Sequence, residues 1–108
     1  MKILVCISCV PETTSKINFI ENDTKFDKNG VKFVINPNDE FGLTRAIWIK
    51  EKDNSSIDVI NVGLEDSDPI LRKTLAIGAD KAIRINSNPI DSFQVAKLIA
   101  DHISKNNY

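Results

Sequence analysis

Lys2 to Ser8 reads K-I-L-V-C-I-S, a short unbroken apolar run with β-branched residues. A run of this kind suits a strand buried on both faces, as inside a parallel sheet, better than a half-buried strand with alternating polarity. From Val10 to Val31 the pattern breaks up: Pro11, the Thr13-Thr14-Ser15 cluster and a polar stretch from Glu21 to Gly30 carry no sustained periodicity. Two short strands are predicted in this excursion, near Lys16–Ile20 and Val31–Ile35, paired as a loose hairpin. Excursions this long between core elements are uncommon and often functional.

Helical periodicity begins at Asn36. Asn is a good N-cap, Pro37 suits the first helical position, and Asp39 and Glu40 favour the positive end of the helix dipole. Leu43, Ala46, Ile47 and Lys50 follow at i, i+3, i+4 and i+7, with Phe41, Trp48 and Ile49 expected to widen the apolar face. Glu51-Lys52-Asp53-Asn54 closes this helix. Ile57 to Val62, I-D-V-I-N-V, is the next strand, stopped by Gly63. A second helix is predicted to start at Asp66-Ser67-Asp68-Pro69, to bury Leu71 and Leu75, and to stop at Gly78. Lys81 to Ile85 reads as a third strand. Asp91-Ser92 then caps a last helix that aligns Val95, Leu98, Ile99, His102 and Ile103.

Strands alternating with helices define an α/β chain: a three-layer, Rossmann-like parallel sheet with helices on both faces and a small antiparallel hairpin insertion. Right-handed crossovers put the strands in the order third, second, first, so the most apolar strand falls at an edge. An apolar edge strand invites pairing. The reading is therefore one incomplete domain over residues 1–108, able to self-associate through its first strand.

The chain has 108 residues with 14 basic and 15 acidic side chains. A net charge of −1 without a basic cluster gives no electrostatic footprint for nucleic acid or an anionic membrane. No apolar run reaches the roughly 18 residues of a membrane span, and no secretory leader is recognisable, which leads to the expectation of a cytoplasmic protein. Cys6-Ile7-Ser8-Cys9 has C-x-x-C spacing, but a redox thiol needs a helix N-terminus, and none follows. Both cysteines are read as ordinary buried residues. His102 is the single histidine, so a triad or a histidine metal cluster is excluded within the chain. Glycines at 30, 42, 63 and 78 form neither a dinucleotide fingerprint nor a phosphate loop. No catalytic and no metal-binding residue is assigned.

What remains is position. Ligands of doubly wound sheets sit beyond the carboxyl ends of the strands, where the strand order reverses. Cys6, Ser8 and Cys9 after the first strand, and Val62, Gly63 and Leu64 after the second, occupy that edge. Asn36 and Asp39 open the helix beside it, where Asn36 serves as cap, as ligand contact or as both.

Three segments carry a resemblance. M-K-I-L-V-C-I-S-C-V-P-E, V-K-F-V-I-N-P-N-D-E-F-G-L-T-R-A and R-K-T-L-A-I-G-A-D-K-A-I-R-I stand in the order of the amino-terminal part of the electron transfer flavoprotein β subunit. That resemblance implies a heterodimer with an α subunit, carrying electrons from flavin dehydrogenases to an acceptor without catalytic side chains in this segment. It further implies an AMP, or in electron-bifurcating members a second FAD, held by the β subunit. The matching positions are the backbone around Cys6, the Asn36 side chain and the backbone around Val62, with Asp39 and Gly63 beside them. Ser8 and Cys9 depart from the basic residue many relatives carry there. The family's phosphate-binding loop would lie beyond Tyr108, so the 108 residues alone are expected to hold nucleotide weakly or not at all. The alternative reading is a stand-alone adenine-nucleotide module similar to universal stress proteins.

Overall fold

A computed structural model describes Met1–Tyr108. Three strands, β1 (Lys2–Cys6), β6 (Ser56–Gly63) and β7 (Lys81–Asn86), form a parallel sheet in the order β1-β6-β7. Three helices join or follow them: α1 (Pro37–Asp53), α2 (Asp68–Ile77) and α3 (Ser92–Ser104). Register runs from Lys2 opposite Ser56 to Cys6 opposite Ile60, and from Asp58 opposite Lys81 to Gly63 opposite Asn86. The expected α/β class, strand order and edge position of the first strand are all present.

Alternation along β6 sorts the layers. Ile57 and Val59 join Ile7, Leu43, Ala46 and Leu71 in one core, so α1 and α2 cover one face. Ile60 and Val62 point to the opposite face, where α3 packs on β6. Consecutive right-handed crossovers in one direction place α1 and α2 together, and α3 crosses the other way.

The helix signals act where the sequence places them. Asn36 caps α1, its Oδ1 accepting from the Asn38 backbone N–H at 3.0 Å. Asn54 ends it in the left-handed region (φ 59°), its N–H donating to Lys50 O. Gly78 terminates α2 at φ 149°, a conformation that side chains disfavour. An added Cβ there would also sit 3.1 Å from Ile47 Cδ1, so close helix packing gives a second reason for glycine. Asp91 caps α3 through the Gln94 N–H.

Several expectations fail. The excursion holds four short strands: β2 (Cys9–Pro11), β3 (Phe19–Ile20), β4 (Lys25–Phe26) and β5 (Phe33–Ile35). β5 pairs antiparallel with β2, and β3 pairs with β4, so the predicted hairpin between Lys16–Ile20 and Val31–Ile35 does not form. β3 and β4 are joined by a turn with positive φ at Glu21, Asn22 and Asp23, and Asn29-Gly30 forms a separate turn ahead of β5, with Gly30 at φ 72°. Phe41 and Trp48 are exposed, because α1 meets the sheet along the narrower Leu43–Ala46–Ile47 stripe. Leu75 and Ile103 are exposed as well. Cys6 is exposed and Cys9 half-buried, so neither is the buried residue expected. No helix is long and apolar enough to cross a membrane.

Candidate functional site

The carboxyl ends of β1 and β6 open into a cleft of about 590 Å³, inside the usual span for small-molecule sites. β1 stops at Cys6 because the backbone leaves the sheet for β2, whose partner β5 leads directly to the α1 cap. β6 stops at Gly63, where the chain turns into a 3-10 turn at Glu65–Ser67 before α2. Cys6, Asp39, Val62 and Gly63, four of the five expected site residues, line this cleft.

Asn36 sits behind it. Its Nδ2 donates to Ser8 Oγ at 3.2 Å, and its backbone N–H donates to Ser8 O at 2.9 Å. Ser8 in turn donates from its backbone N–H (2.8 Å) and its hydroxyl (2.6 Å) to Asp39 Oδ2. Asn36 is therefore both a cap and the support of a Ser8–Asp39 pair at the cleft wall. The two roles use different atoms of one amide.

Residues that sequence reasoning did not single out complete the lining. Asn61, at 4% exposure, donates from Nδ2 to Ile7 O at 2.9 Å and bridges the ends of β6 and β1. Its Oδ1 is buried without a partner. A Cβ added to Gly63 would lie 2.8 Å from that oxygen and 2.6 Å from Ser67 Oγ, so only glycine fits between them. Asn61 had a signal in the sequence, being a polar residue in the otherwise apolar I-D-V-I-N-V. Lys28 and Phe33 also line the cleft, and nothing local in the sequence marks them.

Acidic groups dominate the electrostatics: Asp39 and Asp66 against the single cation Lys28. Partial enclosure raises the Cys6 thiol above its ordinary value, and the Asp39 carboxylate adds to that shift. Enclosure likewise raises Cys9; a Ser67 hydrogen bond pulls the other way and is outweighed. Raised values keep both thiols protonated at neutral pH, the reverse of what redox or metal-binding thiols require. His102 lies elsewhere, with Nε2 2.9 Å from the Tyr108 hydroxyl. That hydroxyl donates to the buried Asp58 at 2.8 Å, and desolvation together with this carboxylate pushes Tyr108 up to about 12.

Chemically, the cleft offers an apolar wall of Val62, Val95 and Ile99 beside acceptor groups on Asp39 and Asp66. A planar ring and the hydroxyl or amino donors of a nucleoside match that set. A phosphate does not match its acidic part.

These features define an α/β protein with a parallel sheet, helices on both faces and a ligand-sized cleft at the carboxyl edge of the sheet. The family model for the electron transfer flavoprotein domain matches residues 23–108, and the chain belongs to that family. It is 33% identical over 111 residues to the electron transfer flavoprotein subunit beta of Thermoanaerobacterium thermosaccharolyticum, covering 100% of this chain and 42% of that protein. Identity to the subunit beta of Bacillus subtilis is 35% over 86 residues, or 80% of this chain and 33% of the relative. The acryloyl-CoA reductase electron transfer subunit gamma of Anaerotignum propionicum is 26% identical over 97% of this chain and 40% of its own length. The chain thus spans between a third and about two fifths of these relatives.

Proposed function

We propose that residues 1–108 form the amino-terminal part of one nucleotide-binding domain in the β subunit of an electron transfer flavoprotein. The carrier would be a heterodimer with an α subunit, accepting electrons from flavin dehydrogenases in the cytoplasm. In this reading the cleft contributes the base and sugar part of an AMP or FAD site, and its side chains bind rather than catalyse. The observation that carries it is the convergence of Cys6, Asp39, Val62 and Gly63, from three separate segments, on one cleft of about 590 Å³ in a chain of this family.

Within that site, Val62 and Gly63 present backbone and a flat surface, Asp39 accepts from donor groups, and Asn36 holds Ser8 and Asp39 in place. AMP would be structural there. FAD would supply a redox flavin. The free edge of β1 is the natural place for a further strand, from this protein or from a second copy of the 108 residues. Chromatography of nucleotide released on denaturing the full-length protein tests the proposal. One AMP or a second FAD per heterodimer is expected in addition to the α subunit's FAD, and its absence from protein of native fold contradicts the reading.

A further inference from the structure

The excursion between β1 and α1 brings two residues to the cleft that no sequence motif assigned. Lys28 is the single cation among the lining groups, and it forms no ion pair of its own. Asp39 and Asp66, the other charged lining groups, repel a phosphate. Among the charged side chains lining this cleft, Lys28 alone attracts an anionic group.

Phe33 is half-buried and stands outside the hydrophobic core. Two features hold its ring: β5 pairs with β2, Phe33 opposite Pro11, and Phe26 packs against it edge-to-face at 6.3 Å and 78°. An aromatic ring braced in this way yet open to a ligand-sized cleft is a preorganised platform for stacking.

We propose that Lys28 and Phe33 are ligand-binding residues, Phe33 stacking on the base of the bound nucleotide and Lys28 contacting its phosphate. This rests on the nucleotide reading of the cleft. It adds that the excursion is part of the binding site, and that ligand orientation is set by the charge asymmetry between Lys28 and the two aspartates.

The test titrates the full-length protein, stripped of nucleotide, with AMP and with adenosine. Lys28→Gln, a change at an exposed side chain, is expected to weaken AMP about 5- to 10-fold and to leave adenosine unchanged, a split that general damage would not produce. Phe33→Leu is expected to weaken both ligands alike, by about fivefold or more. Phe33→Trp gives a readout that does not depend on the Leu variant folding: its emission is quenched by AMP beyond the quenching in the parent. Unchanged AMP affinity in Lys28→Gln, or no added quenching in Phe33→Trp, overturns the proposal. If the parent protein binds neither ligand nor FAD, the nucleotide reading itself fails.

Discussion

β1 and β6 are drawn from the same apolar, β-branched vocabulary, yet they meet different environments. Every residue of β6 after Ser56 is buried, whereas no residue of β1 is. β6 has a strand on each side and helices on both faces; β1 has one strand neighbour, β6, and α1 packed on it. Composition qualifies a segment as a central strand, and position in the sheet decides how much water it loses. The same asymmetry shapes the cleft. β6 brings a rigid floor, Asn61 to Gly63, while β1 brings a less enclosed wall that continues into Ser8 and Cys9.

The largest expected effect breaks the comparison at its energetic root. Ile57→Ala in the wholly buried strand should cost about 2–5 kcal/mol in denaturant unfolding, the usual range for such a core truncation. Val5→Ala at the half-buried edge removes less enclosed surface and should cost about 1 kcal/mol. Equal losses would mean that β1 is covered in solution, by a second copy or by further chain.

A smaller effect is expected at the end of β6. Gly63→Ala puts a methyl group 2.6 Å from Ser67 Oγ and 2.8 Å from Asn61 Oδ1, which should cost about 1–3 kcal/mol by overpacking. Because the displaced groups line the cleft, nucleotide content of the full-length protein should fall as well. Unfolding midpoint and released nucleotide are the two measurements, and unchanged values for both would show that the floor is not packed as described.

The smallest effect concerns how the amino ends of β6 and β7 are clamped. Asp80 accepts from the Ile57 N–H at 2.8 Å and pairs with Lys50 at 2.6 Å. The Lys50 hydrogen bond, followed by that from Ile57, holds its carboxyl below the ordinary carboxylate range. A depressed carboxylate stabilises fully above its unfolded value of about 3.9 and loses that contribution as pH falls through its folded value. Asp80→Asn should therefore lower the unfolding midpoint at neutral pH and flatten its decline below about pH 4. A variant whose acid profile parallels the parent would remove Asp80 from this role.

Local rules carried much of the fold. Asn36-Pro37, Gly78 and Asp91 each act through a cap or stop whose chemistry is contained within a few residues. The crevice was legible because strand alternation and crossover handedness locate the carboxyl edge before any side chain is placed. The excursion was not legible. Its pairing of Cys9–Pro11 with Phe33–Ile35 joins segments more than twenty residues apart, and no period in the chain encodes such a partner. Phe41 and Trp48 misled for a related reason. Helical spacing marks which residues share a face, but the contact between α1 and the sheet decides how wide a stripe is buried. Lys28 and Phe33 reach the cleft only through that non-local pairing, so the site was legible at its floor and hidden at its excursion wall.

The central claim is that the carboxyl-edge cleft seats the base and sugar of an adenine nucleotide. A crystal structure of the full-length protein with its copurified nucleotide tests it most directly. The account predicts the ring against Val62 and Gly63, donor groups within hydrogen-bond reach of Asp39 or Asp66, and the phosphate turned away from both carboxylates. A nucleotide bound elsewhere, with this cleft filled only by ordered water, would contradict it.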